Sequence, residues 1–349
     1  MKIGPMAETL RERAAMLFRL GPRPLLETHA TLLLAQALMV ALKVGVFEAL
    51  APAALTPGEV ALRCGTEERA TAKLLDVLAA TGYVRVAAGG RYALTTDART
   101  WLLEASAHSL HDNVLFRFVE WEWIGQLEGF VRTGTPLDIH REMSSVQWDL
   151  YQRGMRSLAG VLVREVARRT PVPRTARRML DVGGSHGLFS VALCQRHPRL
   201  CAEILDLPEA LAQAAPILAR EGLGDRVVHR AGDALAEDLG TEAFDLVFIS
   251  NLLHHFDPAQ SRDMIRRAAR ALRPGGVLVI QELFVRFSAG RPGQLATLVE
   301  LYFALTSRAG TLSVEDLTIW QKEAGLVPRK PVRFVSFPGA GQQNAFKPR

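Results

Sequence analysis

His254 and His255 stand side by side just past an apolar run at residues 244–250, and Glu282 closes the next apolar run at 277–281. An imidazole titrates near pH ~6.5, so it can take the proton of a phenol or similar weak acid near neutrality. A carboxylate beside it fixes the tautomer or stabilises the imidazolium that forms. Neighbouring strands lie about 4.8 Å apart, so Glu282 reaches a histidine past the preceding run if the two runs pair. By residue type either histidine could be the base. A histidine here could equally cap or pack the helix that opens near Pro258.

A second chemical stretch is Asp181-Val182-Gly183-Gly184-Ser185-His186-Gly187, between an apolar run and an amphipathic segment. That pattern reads as strand, tight turn and helix, whose first amides point at whatever sits on the turn. The dinucleotide fingerprint G-x-G-x-x-G would need glycine at position 182, which is valine. D-x-G-G-x-x-G instead fits a turn for S-adenosylmethionine (SAM), although an ordinary corner reads alike in isolation. Asp206 ends a second apolar run about 20 residues on, where a ribose-binding carboxylate belongs. A third run closes on Gly232-Asp233. Three such runs are more specific than any one.

Stepping from these residues to what carries them, the chain after residue 175 alternates strand and helix. This predicts a parallel sheet with helices on both faces. Ligands bind outside the carboxyl ends of such strands, which gathers Gly183, Asp206, Asp233, His254 and Glu282 at one edge. The Pro-rich basic segment 169–175 is read as the domain boundary, giving domains at 1–105, 106–174 and 175–349. The middle stretch is helical and carries Phe116, Phe118, Trp121, Trp123 and Phe130, then Trp148, Tyr151 and Met155. Such side chains form either core or the wall of a pocket for a flat apolar ligand.

Residues 56–94 read as helix, turn, helix and hairpin, a winged helix. Its second helix carries Glu67, Glu68 and Asp76 beside Arg69 and Lys73, so no phosphate-binding stripe stands out. Dimerisation is expected rather than nucleic-acid binding. The net charge of +6 is read as arginines spread over helix faces. Residues 31–42 form the most apolar run, too short to span a bilayer, which predicts a buried or subunit-interface helix and no membrane partner. Cys64, Cys194 and Cys201 have neither C-x-x-C nor zinc spacing, so a cytoplasmic protein without a metal is expected.

Taken together, these motifs resemble the two-domain small-molecule O-methyltransferases, a family spanning plant caffeate-type and bacterial antibiotic-tailoring enzymes. The resemblance runs from about residue 26 to the end of the chain. It implies a Rossmann-like methyltransferase domain with a mostly parallel seven-stranded sheet, behind a helical winged-helix dimerisation domain whose hairpin includes Gly90-Arg91-Tyr92-Ala93-Leu94-Thr95. Asp181, Gly183 and Gly184 match the first SAM motif. Asp206 and Leu207 match the ribose motif, Asp233 with Ala234 the adenine side, and Ser250 a contact to the methionine tail. Tyr151 and Met155 match an aromatic-x-x-x-Met pattern beside substrate and cofactor; Phe116, Trp121, Tyr302 and Thr306 are further candidates for acceptor contact. The family's His-Asp-Trp aligns with His254-His255-Phe256, which implies His254 as base, with His255 and Phe256 as departures. Glu282 matches a family carboxylate, and a second one aligns near Thr311, where this chain has none. The implied activity is methyl transfer from SAM to a hydroxyl of a small aromatic metabolite by a homodimer. Methylation of carbon or nitrogen, non-methylating use of SAM, and a SAM-sensing winged-helix regulator are the competing readings.

Overall fold

A computed structural model describes residues 4, 7–18, 20–284, 293–308 and 312–349. Two compact units divide between Phe118 and Val119. In the first, Thr9 caps the helix Leu10–Leu17 through a capping box with Glu12. A helical run then covers Arg23–Lys43, with a π-helical turn at Leu26–Ala30. This run is longer than residues 31–42 suggest: Pro24 sits in its first turn, where a missing N–H costs nothing. At 21 residues it is long and apolar enough to cross a bilayer by length and composition. Only Met39, Ala41 and Leu42 near its end are buried, while Leu25, Leu26, Leu32, Leu33 and Leu34 remain exposed.

Thr56 caps the helix Pro57–Cys64 through a box with Glu59, and Gly65 ends it in the left-handed region at φ 64°. The helix Glu68–Ala80 follows, then an antiparallel hairpin of β1 (Val84–Ala87) and β2 (Arg91–Leu94), completing the winged-helix pattern. Two of the acids on that second helix have local tasks. Glu67 caps it through the amides of Arg69 and Ala70, and Asp76 accepts from the Tyr92 hydroxyl at 2.7 Å. Arg91 ties the hairpin back to Glu59 at 2.8 Å. Phe47, Leu50, Leu75 and Leu78 form the centre of this unit's core.

The second unit is built on a twisted sheet. Its strands are β3 (Arg178–Val182), β4 (Cys201–Asp206), β5 (Val227–Ala231), β6 (Phe244–Ser250), β7 (Leu272–Leu283), β8 (Val327–Pro328), β9 (Val332–Arg333) and β10 (Ala340–Phe346). The order is β5-β4-β3-β6-β7-β10-β8, with β9 also on β10. The first five are parallel and β10 runs antiparallel to β7. The sheet therefore has eight strands among the described residues, where seven were expected. Leu180, Val182, Val247 and Ile249 face one core layer; Met179, Leu246, Phe248 and Val279 face the other. That two-sided burial is why these strands read as continuous apolar runs.

Two boundaries differ from the sequence reading. The helix Ser145–Arg169 buries Ala159, Leu162 and Val166 in the same layer as Met179 and Phe248, so segment 169–175 connects parts of one unit. β7 starts at Leu272, well before residue 277, because Leu272 already pairs with Phe244 across an irregularity in register.

Candidate active site

The chain reverses direction across the sheet between β3 and β6, since β4 and β5 build outward on one side and β7 on the other. Such a switch point opens a crevice at the strands' carboxyl ends. The glycine turn lines it. Gly183 has φ 70°, and a Cβ there would lie 2.9 Å from Leu252. A Cβ on Gly184 would lie 2.5 Å from the Asp181 carboxylate. Neither position tolerates a side chain. Asp181 lies behind the turn, fully buried, and its Oδ2 accepts from Ser190 Oγ at 2.6 Å. Burial pushes its carboxyl up to about 7, with the Ser190 bond opposing and the Asp206 charge adding. His186, which sequence reasoning assigned no task, accepts from the Leu188 amide at 3.1 Å and caps the following helix.

Asp206 ends β4 with one oxygen on each of two amides, Ser185 N at 2.7 Å and Leu207 N at 2.8 Å. Burial lifts its carboxyl to about 6 although both amides lower it. The Asp206 carbonyl accepts from Gly232 N at 2.9 Å, which fixes the start of the next loop. There Asp233 is exposed, its Oδ1 on Leu235 N at 2.8 Å, and Ala234 is buried with its carbonyl on Arg267. Ser250 Oγ accepts from Gln281 Nε2 at 3.0 Å and Asn251 Nδ2 at 3.2 Å. Ser185 Oγ bonds Gln152, whose Nε2 is buried without a partner among the described residues, as is Asp181 Oδ1. The glycine cradle, an acid at ribose position and unspent buried polar atoms fit a nucleoside ligand such as SAM.

On the other side of the crevice Glu282 is almost fully buried near the end of β7. Its Oε1 accepts from the amides of Leu252 at 3.1 Å and Leu253 at 3.0 Å, and its Oε2 lies 2.8 Å from His254 Nδ1. An ionised carboxylate only accepts, so Nδ1 carries the proton and Nε2 is left with a lone pair. The imidazole stacks on Phe303, centroids 4.2 Å apart at 11°. His255 sits 4.1 Å from His254 and meets Ser307 Oγ through Nδ1 at 2.9 Å. His140, unnoticed in the sequence, packs edge-on against His255 at 4.5 Å and against Tyr151 at 5.7 Å. Burial first, then the neighbouring imidazoles, hold His255 well below the usual histidine range. Burial and His254 push His140 down to about 4. Tyr151 is raised by burial and then by the Asp206 charge, so it stands between the ribose acid and the histidines.

The remaining candidates divide. Met155 is half-buried one turn beyond Tyr151. Tyr302 packs on Phe303 at 5.8 Å and donates to Glu120 at 2.7 Å. Thr306 is buried, its hydroxyl returned to the Tyr302 carbonyl at 2.9 Å. Trp121 is 36% exposed, and Phe116 is buried within the first unit. Thr311 lies outside the described residues. No metal-binding group of histidines, cysteines or acids occurs among the described residues.

Known proteins bear on this site. Residues 133–322 match the O-methyltransferase domain family, and residues 26–104 the O-methyltransferase dimerisation domain family. The chain is 30% identical to 3-hydroxy-5-methyl-1-naphthoate 3-O-methyltransferase of Streptomyces sahachiroi, over 87% of this chain and 89% of that one. It is 27% identical to L-tyrosine C(3)-methyltransferase of Streptomyces lavendulae, over 82% and 81%. Human N-acetylserotonin methyltransferase in complex with SAM has the same fold, with TM-score 0.83 at 19% identity and coverage of 99% and 100%.

Proposed function

Taking as premise that the chain belongs to the O-methyltransferase family and uses SAM, we propose that His254 is the general base for methylation of an aromatic hydroxyl. One observation carries this reading: Glu282 is pinned by two amides and aims His254 so that only Nε2 faces out. SAM, when bound, supplies an electrophilic methyl group on a sulfonium. Gly183 and Gly184 leave room for it, with Asp181 bracing the turn. Asp206 and Leu207 would take the ribose, Asp233 and Ala234 the adenine side, and Ser250 the methionine tail. An acceptor hydroxyl placed against His254 gives its proton to Nε2 as the oxygen attacks, and Glu282 offsets the charge of the imidazolium. Phe303, Tyr151 and Met155 supply flat apolar surface for the acceptor, and Tyr302 borders it. Phe116, Trp121 and Thr306 have less support for acceptor contact.

The first acceptor class to test is hydroxynaphthoates, given the naphthoate-methylating relative. A SAM-dependent gain of one methyl mass, with loss of the titratable phenol, is the expected result; no mass gain across a phenol panel overturns the reading. Methylation of carbon beside the hydroxyl, suggested by the tyrosine C(3)-methylating relative, would add the same mass and keep the phenol. The same base serves both, since either carbon or oxygen attack begins from phenoxide.

The assembly is a cytoplasmic homodimer that binds neither nucleic acid nor membrane. The exposed leucines of Arg23–Lys43 lie largely within the matched dimerisation domain, so a second chain rather than lipid covers them. Sedimentation at micromolar concentration is expected to give a dimer; a monomer rejects this assignment.

A further inference from the structure

Three imidazoles meet in the second unit, and only one has a task in the reaction above. His254, His255 and His140 form a chain with ring centroids 4.1 and 4.5 Å apart. His254 commits Nδ1 to Glu282, and His255 commits Nδ1 to Ser307. The ring nitrogens of His140 have no hydrogen-bond partner among the described residues. Beyond the base, then, three imidazole nitrogens are unspent: Nε2 of His255 and both of His140. They do not make a metal site. His140, His255 and Tyr151 each keep some accessible surface although protein surrounds and desolvates them, which marks the wall of an internal cavity.

We infer that His140 and His255 together receive a carboxylate of the acceptor, so that the acceptor is a hydroxyaryl carboxylic acid. The inference rests on the methyltransferase reading and names the substrate class of the same site. A buried polar nitrogen without a partner is costly, and a carboxylate accepts from several N–H groups at once. An opposite charge within ~4–6 Å raises an imidazole's proton affinity by about 1–3 pKa units. Burial disfavours a lone imidazolium in this cluster but favours one paired with a ligand carboxylate. The charged and titratable groups facing the pair are few: His254 with its Glu282, the Tyr151 hydroxyl, and Asp138, which approaches Arg141 at 3.8 Å. Glu282 is already matched to His254 and two amides. Position 255 sharpens the argument: an acid aligned there would repel an acidic acceptor, and an imidazole attracts one.

The sign of the pH dependence follows. Carboxylate binding raises the pair's proton affinity, so the advantage of the acid is present at low pH and lost as pH rises through the pKa of the complex. The test is calorimetry on enzyme loaded with S-adenosylhomocysteine, comparing 3-hydroxy-1-naphthoate with 2-naphthol, which lacks the carboxyl. Expected is an acid-to-naphthol affinity ratio of about tenfold or more at pH 6, proton uptake on binding the acid, and a shrinking ratio toward pH 8. In His140→Phe and His255→Gln the ratio falls toward one, with an S-adenosylhomocysteine titration of each variant reporting an intact fold. Equal affinity with a flat pH profile overturns the inference, as does a ratio unchanged in both variants, or binding of neither probe. Failure of the loaded protein to bind S-adenosylhomocysteine would instead strike the methyltransferase reading itself.

Discussion

Asp206 and Glu282 lie at the same edge of one sheet, both end a strand, and both accept two main-chain N–H groups. Their use of those bonds is opposite. Asp206 takes one amide on each oxygen, so both oxygens keep a lone pair for a ligand. Glu282 gathers both amides on Oε1 and spends Oε2 on His254. A half-used carboxylate faces a ligand; a committed one aims another side chain. The way an acid divides its bonds, rather than its presence, separates a binding residue from a positioning one.

The largest effect should come from the residue Glu282 aims. His254→Ala is expected to lower the single-turnover methylation rate by about 10²–10⁴-fold, with SAM affinity near wild type. A rate within a few-fold of wild type would mean that alignment alone drives transfer. Glu282→Gln should cost less than that but more than an order of magnitude, about 10–10²-fold. Glutamine can still accept from the two amides, but its NH₂ meets Nδ1 and turns the imidazole to the wrong tautomer. If the rate loss equals that of an alanine at 282, aiming is not what Glu282 contributes.

Asp206→Ala tests the other acid. Losing a charged acceptor costs about 1.5–3 kcal/mol, or roughly 10–150-fold in the Kd for SAM. With its carboxyl lifted to about 6, wild-type SAM affinity should hold above that pH and fall as pH drops through it, as the acceptor protonates. Titration calorimetry at pH 7.5 and 5.5 checks this, and the alanine variant should lose the dependence.

The smallest effect concerns the acid behind the turn. Burial raises Asp181 to about 7, so its contribution favours the protonated fold and is lost as pH rises through 7. Asp181→Asn removes that titration. Its unfolding free energy relative to wild type should improve by up to about 1.4 kcal/mol per pH unit above 7. Parallel denaturant curves at pH 6 and 8 that keep a constant gap would refute a protonated Asp181.

Much of this was legible in the residues. The runs ending in Asp181, Asp206 and Ser250 are buried on both faces, so they announce themselves as strands, and their polar ends as a site edge. Other parts lack a local signal. β10 carries Gln342, Gln343 and Asn344 in the interior, where Gln342 is satisfied by Thr170 and Gln281 and Gln343 by Gln321. Partners so distant in sequence cannot be seen in a polar run, so only residues 344–346 read as strand. His140 sits in the four-residue helix Ile139–Glu142, too short for any periodicity. Thr306 reads as an available hydroxyl, but helices let threonine return its O–H to the carbonyl four residues back. The helix Ser145–Arg169 was assigned to a separate connector because a proline-rich segment follows it; its apolar stripe decides otherwise.

The placement of β10 has a bearing on how the protein is made. Gln342 donates to Gln281, and Gln281 donates to Ser250, at the cofactor's expected tail. The strand synthesised last therefore fixes a side chain translated almost a hundred residues earlier. Until it emerges from the ribosome, β7 is an open edge with unpaired main-chain groups and an apolar sequence, the kind of surface that recruits foreign strands. A nascent chain arrested before residue 340 should depend on chaperones and fail to retain SAM. One released only a few residues later would close its own edge.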